Sequence, residues 1–359
     1  MMVSARNSRP MADGKTTESS HPRKTPPRQP STPASMRTLD ADSLVQAEKL
    51  SAAVGVTVEE LSALYLLQNI KGLGPQTSKE VHERGLSASE VSQNPSLLPT
   101  EGKRGETLRA QLRDMLGKDH TLIRERAIRQ ILTAAKYDAK ILTYGHPAYP
   151  ANLYKSRYPA PILYARGAVD TLLSRNTVAC VGSRKIRAPY TEWEREFVRH
   201  ACTAGFTIVS GFALGADSIG HEGAWHRSGN TVCVMPGGLD RPFPPENKGL
   251  WASLLAYSGA VMVSEAPFGM SASSLTLRKR NKLIVALSRG VLICQSSLTG
   301  GAMNAYRFAL ELRKAAATFP GDEREDTSGN TAIGEKGANA VLDGSEAYER
   351  WLRLLSSLI

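Results

Sequence analysis

The feature that most restricts the fold is a regular alternation of short apolar runs with longer amphipathic segments between residues 177 and 320. The runs read TVACV, FTIV, TVCVM, AVMV, GVLIC and AATF. Segments such as YTEWEREFVRHACTAG and GAMNAYRFALELRK lie between them and carry apolar residues at helical spacing. Strands that are apolar throughout and alternate with helices are typical of a parallel sheet covered on both faces. The sequence therefore predicts an α/β fold with a mainly parallel sheet.

Small and polar residues follow most of these apolar runs. They include GSR after the first run, SG after the second, PGG after the third, SE after the fourth and QSSLTGG after the fifth. In an open α/β sheet the carboxyl ends of the strands line one crevice, where ligands bind. Helices that begin just beyond these turns present N–H groups to anions. The pattern therefore predicts a ligand that carries phosphate, although no GxGxxG, GxxxxGK[ST] or GxSxG motif is present.

The segment from residue 41 to residue 136 has helical periodicity throughout. One hinge within it reads NIKGLGPQTSKEV, in which Gly72 and Gly74 permit a tight turn and Pro75 suits the first turn of a helix. Helix, Gly-x-Gly turn and helix are similar to a helix-hairpin-helix motif, whose backbone N–H groups face a phosphate. A plain turn between packed helices explains the same residues, and both interpretations stay open.

Charge and composition point to a polyanionic partner. The 359 residues carry a formal net charge of +11, which favours nucleic acid or another phosphate-bearing ligand. Residues 1–40 are rich in Pro, Ser, Thr, Arg and Lys, a composition typical of a disordered basic tail. No apolar run has the length of a membrane span, the start lacks a secretory leader, and the four cysteines form no CxxC pair. These features predict a cytoplasmic protein without a metal site.

Ordered motifs from about Tyr144 to Asp343 resemble the DprA/Smf family of DNA-processing proteins. VACVGSR is similar to that family's VGSR turn, and IVSGFALGADSIGHEGAWHRSGNTVCVMPGGLD is similar to its SGxAxGxDxxAHxxAL…GxTxxVxxxGxD block. PFPPENKGL, VSEAPFG, RKRNKLIVALS and TGGAMNAYRFA follow in the family's order. The resemblance implies an extended Rossmann-type fold at residues 137–345, preceded by the small helical domain at 41–136 and followed by a short helix at 346–359.

The resemblance also implies a function without catalysis or cofactor. Proteins of this family bind and protect single-stranded DNA and help to load the recombinase RecA onto it during DNA uptake, natural transformation and recombination. They form homodimers and do not act on membranes. Some relatives carry a C-terminal winged-helix domain, and we expect none here, because the sequence passes from the Rossmann region to the short last helix in GSEAYERWLRLLSSLI.

The family's DNA-binding residues carry over to this sequence position by position. The resemblance, together with the phosphate argument above, assigns single-stranded DNA or phosphate binding to Gly182, Ser183, Arg184, Arg187, Ser210, Gly211, Gly215, Asp217, Arg280, Asn281, Lys282, Gly300 and Gly301.

The predicted roles differ among these residues. Arg184, Arg280 and Lys282 neutralise phosphates, whereas Asp217 is better placed to cap a helix or orient an arginine than to touch DNA. Tyr190, Phe243 and Phe268 lie in or near the relevant loops and are candidates for stacking on bases.

Four positions depart from the family's pattern. Leu214 replaces a frequent arginine, and Arg187 is close enough in sequence to compensate. Asn304 replaces a threonine, Gln295 replaces an acidic residue, and Lys282 lacks the planar fork of an arginine.

The competing prediction is a nucleotide-binding sensor or a phosphoribohydrolase-like enzyme of the same Rossmann superfamily. Such hydrolases carry PGGxGTxxE, but here PGGLDRPFP lacks the threonine and the glutamate. His221 follows Asp217 on the next helix without a nucleophile at a suitable spacing, which favours a packing role over catalysis.

Overall fold

The computed structural model describes residues 40–336 and 339–358. The tail predicted at residues 1–40 lies outside these ranges except for its last residue. The described residues form one compact unit. None of their helices is by itself both long and apolar enough to cross a membrane.

Six α-helices form the first part of the described residues, from Ala41 to Lys136. Asp40 and Thr57 cap the first two, since their side chains accept from the amides of Ser43 and Glu60 at 2.9 and 3.1 Å. The second helix, VEELSALYLLQN, is apolar around most of its circumference and packs against the fourth and sixth helices, so that most of its residues are buried. The bounds are α1 (Ala41–Val54), α2 (Val58–Asn69), α3 (Pro75–Glu83), α4 (Ala88–Gln93), α5 (Gly102–Lys118) and α6 (His120–Lys136).

Within the described ranges, nine strands form a single sheet in the order β1-β2-β6-β5-β4-β3-β7-β8-β9. The pairs β1–β2 and β2–β6 are antiparallel, and all other pairs are parallel. The predicted extended Rossmann-type fold with a mainly parallel sheet is therefore confirmed. The strands are β1 (Ala139–Leu142), β2 (Leu163–Gly167), β3 (Thr177–Val181), β4 (Thr207–Ser210), β5 (Thr231–Val234), β6 (Ala260–Ser264), β7 (Gly290–Ile293), β8 (Ala315–Thr318) and β9 (Ala340–Val341).

Strand β3 sits where the order of the sheet reverses. From β3 the chain builds β4, β5 and β6 outward on one side, and β7, β8 and β9 outward on the other. The loops that leave the carboxyl ends of β3 and β7 therefore diverge and open a crevice between them, which is where open α/β sheets bind ligands.

Helices cover both faces of the sheet. Helices α11 and α12 bury apolar side chains on one face, and α8, α9 and α14 do so on the other. The remaining helices are α7 (Ala151–Lys155), α8 (Tyr190–Thr203), α9 (Ala216–Trp225), α10 (Lys248–Leu255), α11 (Ser274–Leu287), α12 (Ala302–Leu312), α13 (Ser328–Gly334) and α14 (Ser345–Ser357), with 3-10 turns at Pro95–Leu97, Val169–Leu173, Pro245–Asn247 and Glu325–Thr327.

The helical region shares an apolar core with the β1–β2–β6 side of the sheet. Residues of α2 and α6 belong to the same buried cluster as Ile141 and Tyr164. Hydrogen bonds also cross the junction: Gln130 accepts from the Phe268 amide at 2.8 Å and donates to its carbonyl at 3.3 Å. Helix α6 ends at Lys136 and packs against β1, the strand that follows it. The helical region is therefore fixed relative to the strand ends beside it.

Candidate functional site

A cavity of about 520 Å³ lies at the carboxyl ends of β3 and β7, where the order of the sheet reverses. We call it the strand-end cavity. Its walls are the turn after β3, the turn after β7 with the start of α12, and one side of α11. The predicted residues that line it are Gly182, Ser183, Arg184, Asp217, Arg280, Asn281, Gly300 and Gly301. The structure thus gathers most of the predicted site residues around one opening.

The GSR turn and the SGxAxGxD turn are locked together at the base of this cavity. The Ala216 amide donates to the Ser183 carbonyl at 3.1 Å, and the Ser183 amide donates to the Gln295 carbonyl at 2.8 Å. Gly215 precedes α9 with φ +77°, and a Cβ there would lie 2.4 Å from the Ser183 carbonyl oxygen. Only glycine fits this contact. The absence of a side chain at Gly215 therefore lets the turn after β4 pack directly against the turn after β3.

A buried ion pair forms part of the cavity wall. Arg280 and Asp217 are both more than nine-tenths buried, and Arg280 Nη1 donates to Asp217 Oδ2 at 3.1 Å. The same oxygen accepts from the Ala213 amide at 3.1 Å. Burial lowers the pKa of Arg280, and Asp217 opposes that shift. Asp217 therefore orients the arginine, as the sequence suggests.

Gly211 makes room for this pair. A Cβ at Gly211 would lie only 1.1 Å from Arg280 Nη1. The Arg280 guanidinium therefore occupies the space that a side chain at residue 211 would fill. Gly211 contributes to the site by leaving room for Arg280.

Two exposed guanidinium groups complete the positive charge of the cavity. Arg184 and Arg278 line the opening and are exposed. Neither has a carboxylate within 4.0 Å in the described part of the chain. The sequence reasoning missed Arg278, although it lies two residues before the RNR-like segment. The signal for it is helical, because Arg278 lies three residues from Asn281 on α11 and so shares its face.

Arg187 is held away from the cavity by carboxylates. Its Nε donates to Asp326 Oδ2 at 2.8 Å and its Nη2 donates to Asp322 Oδ2 at 2.7 Å. Hydrogen bonds to these two carboxylates raise the pKa of Arg187. The expectation that Arg187 replaces the arginine missing at Leu214 needs correction, because its charge is already neutralised within the chain.

Lys282 is also paired with a carboxylate of the chain. Its Nζ donates to Glu311 Oε1 at 2.6 Å and lies 4.8 Å from the centre of the Tyr158 ring. It does not line the strand-end cavity. Its predicted role as a phosphate contact is therefore not supported by its position, whereas its neighbour Asn281 faces the cavity and donates to the Gly301 carbonyl at 3.4 Å.

Ser210 is an internal residue. Its hydroxyl donates to the Cys180 carbonyl at 2.6 Å, and no part of the residue is exposed. The prediction that Ser210 contacts phosphate directly is wrong for this conformation. It ties β4 to β3 below the turn that carries Gly211.

The aromatic residues near the loops belong largely to the core. Tyr190 is fully buried and donates to the Pro320 carbonyl at 2.7 Å. Phe268 is 7% exposed and stacks on Tyr137, with the ring centres 5.8 Å apart. Phe243 is partly buried and packs against the apolar core that the helical region shares with the sheet. Neither Tyr190 nor Phe268 is therefore free to stack on a base.

His221 has the packing role that the sequence favours. It is fully buried, and its Nδ1 lies 2.7 Å from the Thr231 hydroxyl. Burial lowers the pKa of His221 to about 4, so the imidazole is neutral at physiological pH.

The helical hairpin is a turn between α2 and α3. Gly72 adopts φ +92°, and its carbonyl accepts from Arg104 at 3.1 Å. Gly74 is the N-cap residue of α3 and lines a second cavity, not the strand-end cavity. A phosphate contact at Gly72 and Gly74 stays a prediction.

A family model and several curated proteins relate this chain to the same group of DNA-processing proteins. Residues 140–352 match the family model described as DNA recombination-mediator protein A. Protein Smf of Synechocystis sp. is 29% identical over 211 residues, which are 58% of this chain and 52% of that protein. Protein Smf of Escherichia coli is 34% identical over 173 residues, 48% of this chain and 46% of that protein. The chain thus spans about half the length of these curated relatives.

Two solved structures have the same fold. DNA processing protein A from Helicobacter pylori, whose structure is described for its single-stranded DNA binding mode, has a TM-score of 0.53 and 25% identity over 61% of this chain and 96% of its own. DprA from Streptococcus pneumoniae has a TM-score of 0.58 and 23% identity over 79% of this chain and 94% of its own, a likeness of fold alone.

Proposed function

The chain belongs to the DNA recombination-mediator protein A family, and we propose that it binds single-stranded DNA in the strand-end cavity. The observation that carries this proposal is the convergence of Arg184, Arg278 and Arg280 on one opening. Guanidinium groups bind phosphate through planar, charge-assisted hydrogen bonds. Two of the three have no carboxylate partner in the described residues, so their charge is available to a ligand.

The shape of the cavity favours one strand over two. A concave space of about 520 Å³ holds a few nucleotide groups, whereas a double helix is too wide to enter it and would touch only the rim. Single strands also let individual bases turn toward a protein surface, which a stacked duplex does not. The single-stranded DNA binding described for the Helicobacter pylori protein supports this assignment.

We further propose that the protein acts without catalysis, as a homodimer, and that it protects the strand and helps to load RecA onto it during DNA uptake, natural transformation and recombination. This part of the proposal depends on family membership, because the geometry of one chain bears only on the DNA contact.

The position of the PGG turn argues against the enzymatic alternative. For the turn to bind a nucleotide, its glycines would have to be open to the ligand. Here a Cβ at Gly238 would lie 2.7 Å from the Pro267 carbonyl oxygen, and one at Gly237 would lie 2.9 Å from that of Met270. The chain's own 267–272 segment therefore packs against the turn, which does not line the strand-end cavity.

The test is a salt titration of binding to a labelled dT oligonucleotide and to a duplex of equal length. We compare the wild type with Arg184→Ala/Arg278→Ala, and use Arg350→Ala/Arg353→Ala as a control that removes the same charge from the exposed side of α14. The first variant should bind the single strand more weakly, with a salt slope shallower by about 1.4, because each lost phosphate contact with a single strand reduces the slope by about 0.7.

The control variant should keep the wild-type slope to within about 0.3. Equal binding of duplex and single strand, or the same loss of slope in both double variants, would place the DNA elsewhere on the surface. Competition by a free mononucleotide at the same concentration as the oligonucleotide would favour the nucleotide-sensor function.

A further inference from the structure

A second cavity lies on the other side of α11, between the helical region and the sheet. We call it the helix-side cavity. Its volume is about 360 Å³, and its walls include Tyr65 and Arg126 from α2 and α6, Tyr164 from β2, and Glu265 just after β6. The proposed phosphate contacts do not account for this space or for the residues around it.

One helix separates the two cavities. Along α11, Ser274, Leu277, Arg278 and Asn281 face the strand-end cavity. Thr276, Lys279, Arg280 and Leu283 face the helix-side cavity. Each set follows the i, i+3, i+4, i+7 spacing of one helix face. Arg280 lines both cavities, so the two spaces meet at its side chain. A strand held by Arg278 and Arg280 therefore lies beside the entrance to the second space.

The helix-side cavity offers flat surfaces suited to a base. The exposed guanidinium of Arg126 and the partly buried ring of Tyr158 are the surfaces available for stacking. Arg126 lies over the Tyr65 ring, 4.4 Å from its centre. Tyr65 and Tyr164 are buried and hydrogen-bonded to each other through their hydroxyl groups, so they support the cavity from below. Aromatic rings and guanidinium planes are the surfaces on which proteins stack unpaired bases.

A carboxyl group gives this cavity a polar contact that can choose among bases. Glu265 Oε1 accepts from the Tyr158 hydroxyl at 3.1 Å, which leaves further lone pairs on its oxygens. Desolvation raises the pKa of Glu265 to about 7. At pH 8 the group is mainly ionised and accepts hydrogen bonds only.

We propose that the helix-side cavity receives one unstacked base of a DNA strand whose phosphates occupy the strand-end cavity, and that Glu265 selects a base with an exocyclic amino group. This inference depends on the proposed function, since it assumes that a strand lies across α11. A base is one sugar away from its phosphate, so a phosphate at Arg280 places its base within reach of the adjoining space. Carboxylates accept from the N4 amino group of cytosine, and thymine presents a carbonyl at that position.

The first experiment compares dC and dT oligonucleotides of equal length by fluorescence anisotropy at pH 8. The two bases have the same ring size, so stacking contributes similarly to both. The wild type should bind dC about fivefold or more tightly, the lower range for one specific base contact. Glu265→Gln should reduce that preference, because the amide of glutamine accepts from the amino group of cytosine and also donates to the carbonyl of thymine. Glu346→Gln, an exposed glutamate of α14, is the control and should keep the preference.

The outcomes separate this inference from the proposed function. Equal dC and dT affinity in the wild type, with binding still lost in Arg184→Ala/Arg278→Ala, would overturn the base subsite and leave single-stranded DNA binding intact. Absence of oligonucleotide binding in the wild type would overturn both.

A second measurement does not depend on any variant. A strand that carries one 5-iodo-deoxycytidine cross-links on irradiation to an aromatic side chain that it contacts. Cross-links to Tyr158 in the wild type, located by mass spectrometry, would support the proposal. Cross-links confined to residues outside the helix-side cavity would overturn it.

Discussion

The strand-end cavity and the surface beside it contain the same kinds of basic residue in different electrostatic states. In the cavity, Arg184 and Arg278 are exposed and have no carboxylate within 4.0 Å in the described ranges. In the acidic rim at its edge, which we define as Asp322 and Asp326 with the Arg187 that they hold, the arginine is paired with both carboxylates, and Asp326 also lines the cavity. A basic residue near a strand end is therefore available to DNA only where the fold supplies no carboxylate to pair with it.

Burial adds a third state to this comparison. Arg280 is paired with a carboxylate, as Arg187 is in the rim, but the Arg280–Asp217 pair is buried away from water. A buried pair contributes little to stability compared with an apolar pair, yet removal of one partner leaves an unpaired charge in a poorly solvated place. The Arg280–Asp217 pair therefore contributes mainly by positioning α11 at the cavity. A different experimental result is expected for each of the three regions.

The largest effect is expected from the buried pair. Arg280→Ala leaves Asp217 buried without its cation and should lower the free energy of unfolding by about 3–5 kcal/mol. Urea titration with circular dichroism measures the loss. Asp217→Ala/Arg280→Ala should lose less than the sum of the two single variants, because the charges are removed together. Additive losses in that cycle would show that the pair is not coupled and does not hold α11 in place.

A buried carboxyl behind the cavity should have a smaller effect that depends on pH. Glu194 on α8 is fully buried, and neither of its oxygens has a hydrogen-bond partner among the residues described. Burial raises the pKa of Glu194 well above its usual range, so the folded protein holds a proton that the unfolded chain releases. Stability should therefore fall as the pH rises above about 4.5, by at most about 1.4 kcal/mol per pH unit from this group.

Glu194→Gln lacks this titration. The free energy of unfolding of the variant relative to the wild type should rise steadily from pH 5 to pH 7. Chemical denaturation at several pH values measures the difference. A difference independent of pH would mean that Glu194 is ionised in the folded protein.

The smallest effect is expected at the acidic rim. Arg187→Ala/Asp326→Asn removes one cation and one carboxylate and keeps the net charge, so affinity for a dT oligonucleotide should change by less than about twofold. Arg184→Ala removes an unpaired charge and should weaken binding more at low salt. A loss for the rim double variant as large as that for Arg184→Ala would show that DNA displaces the rim carboxylates from Arg187, and the distinction between rim and cavity would then fail.

The sequence predicts the fold well for a physical reason. Strands β3 to β8 are short apolar runs, and a run that is apolar on both faces needs cover on both sides. The glycine motifs are visible in the sequence, but the contacts that require them are not local: a Cβ at Gly215 would meet the Ser183 carbonyl, and one at Gly211 would meet Arg280. What the sequence lacks is the partner of each charged group.

Two residues illustrate this limit. Arg187 pairs with Asp326, which is 139 residues away, and Lys282 pairs with Glu311, which is 29 residues away. Pairing over such separations depends on the sheet order, which local spacing does not give. Arg278 and Lys279 show the opposite case: their helical spacing is visible in the sequence, but only the packed structure shows that a cavity lies on each side of α11.

The position of α11 between two cavities has a consequence for how this segment tolerates change. A substitution on α11 alters one cavity and, except at Arg280, leaves the other untouched. A single-residue insertion or deletion turns the rest of the helix by about 100°, which would move Arg278 off one face and Lys279 off the other at once. The length of the segment Ser274–Leu287 is therefore more tightly constrained than the residue type at any one of its exposed positions.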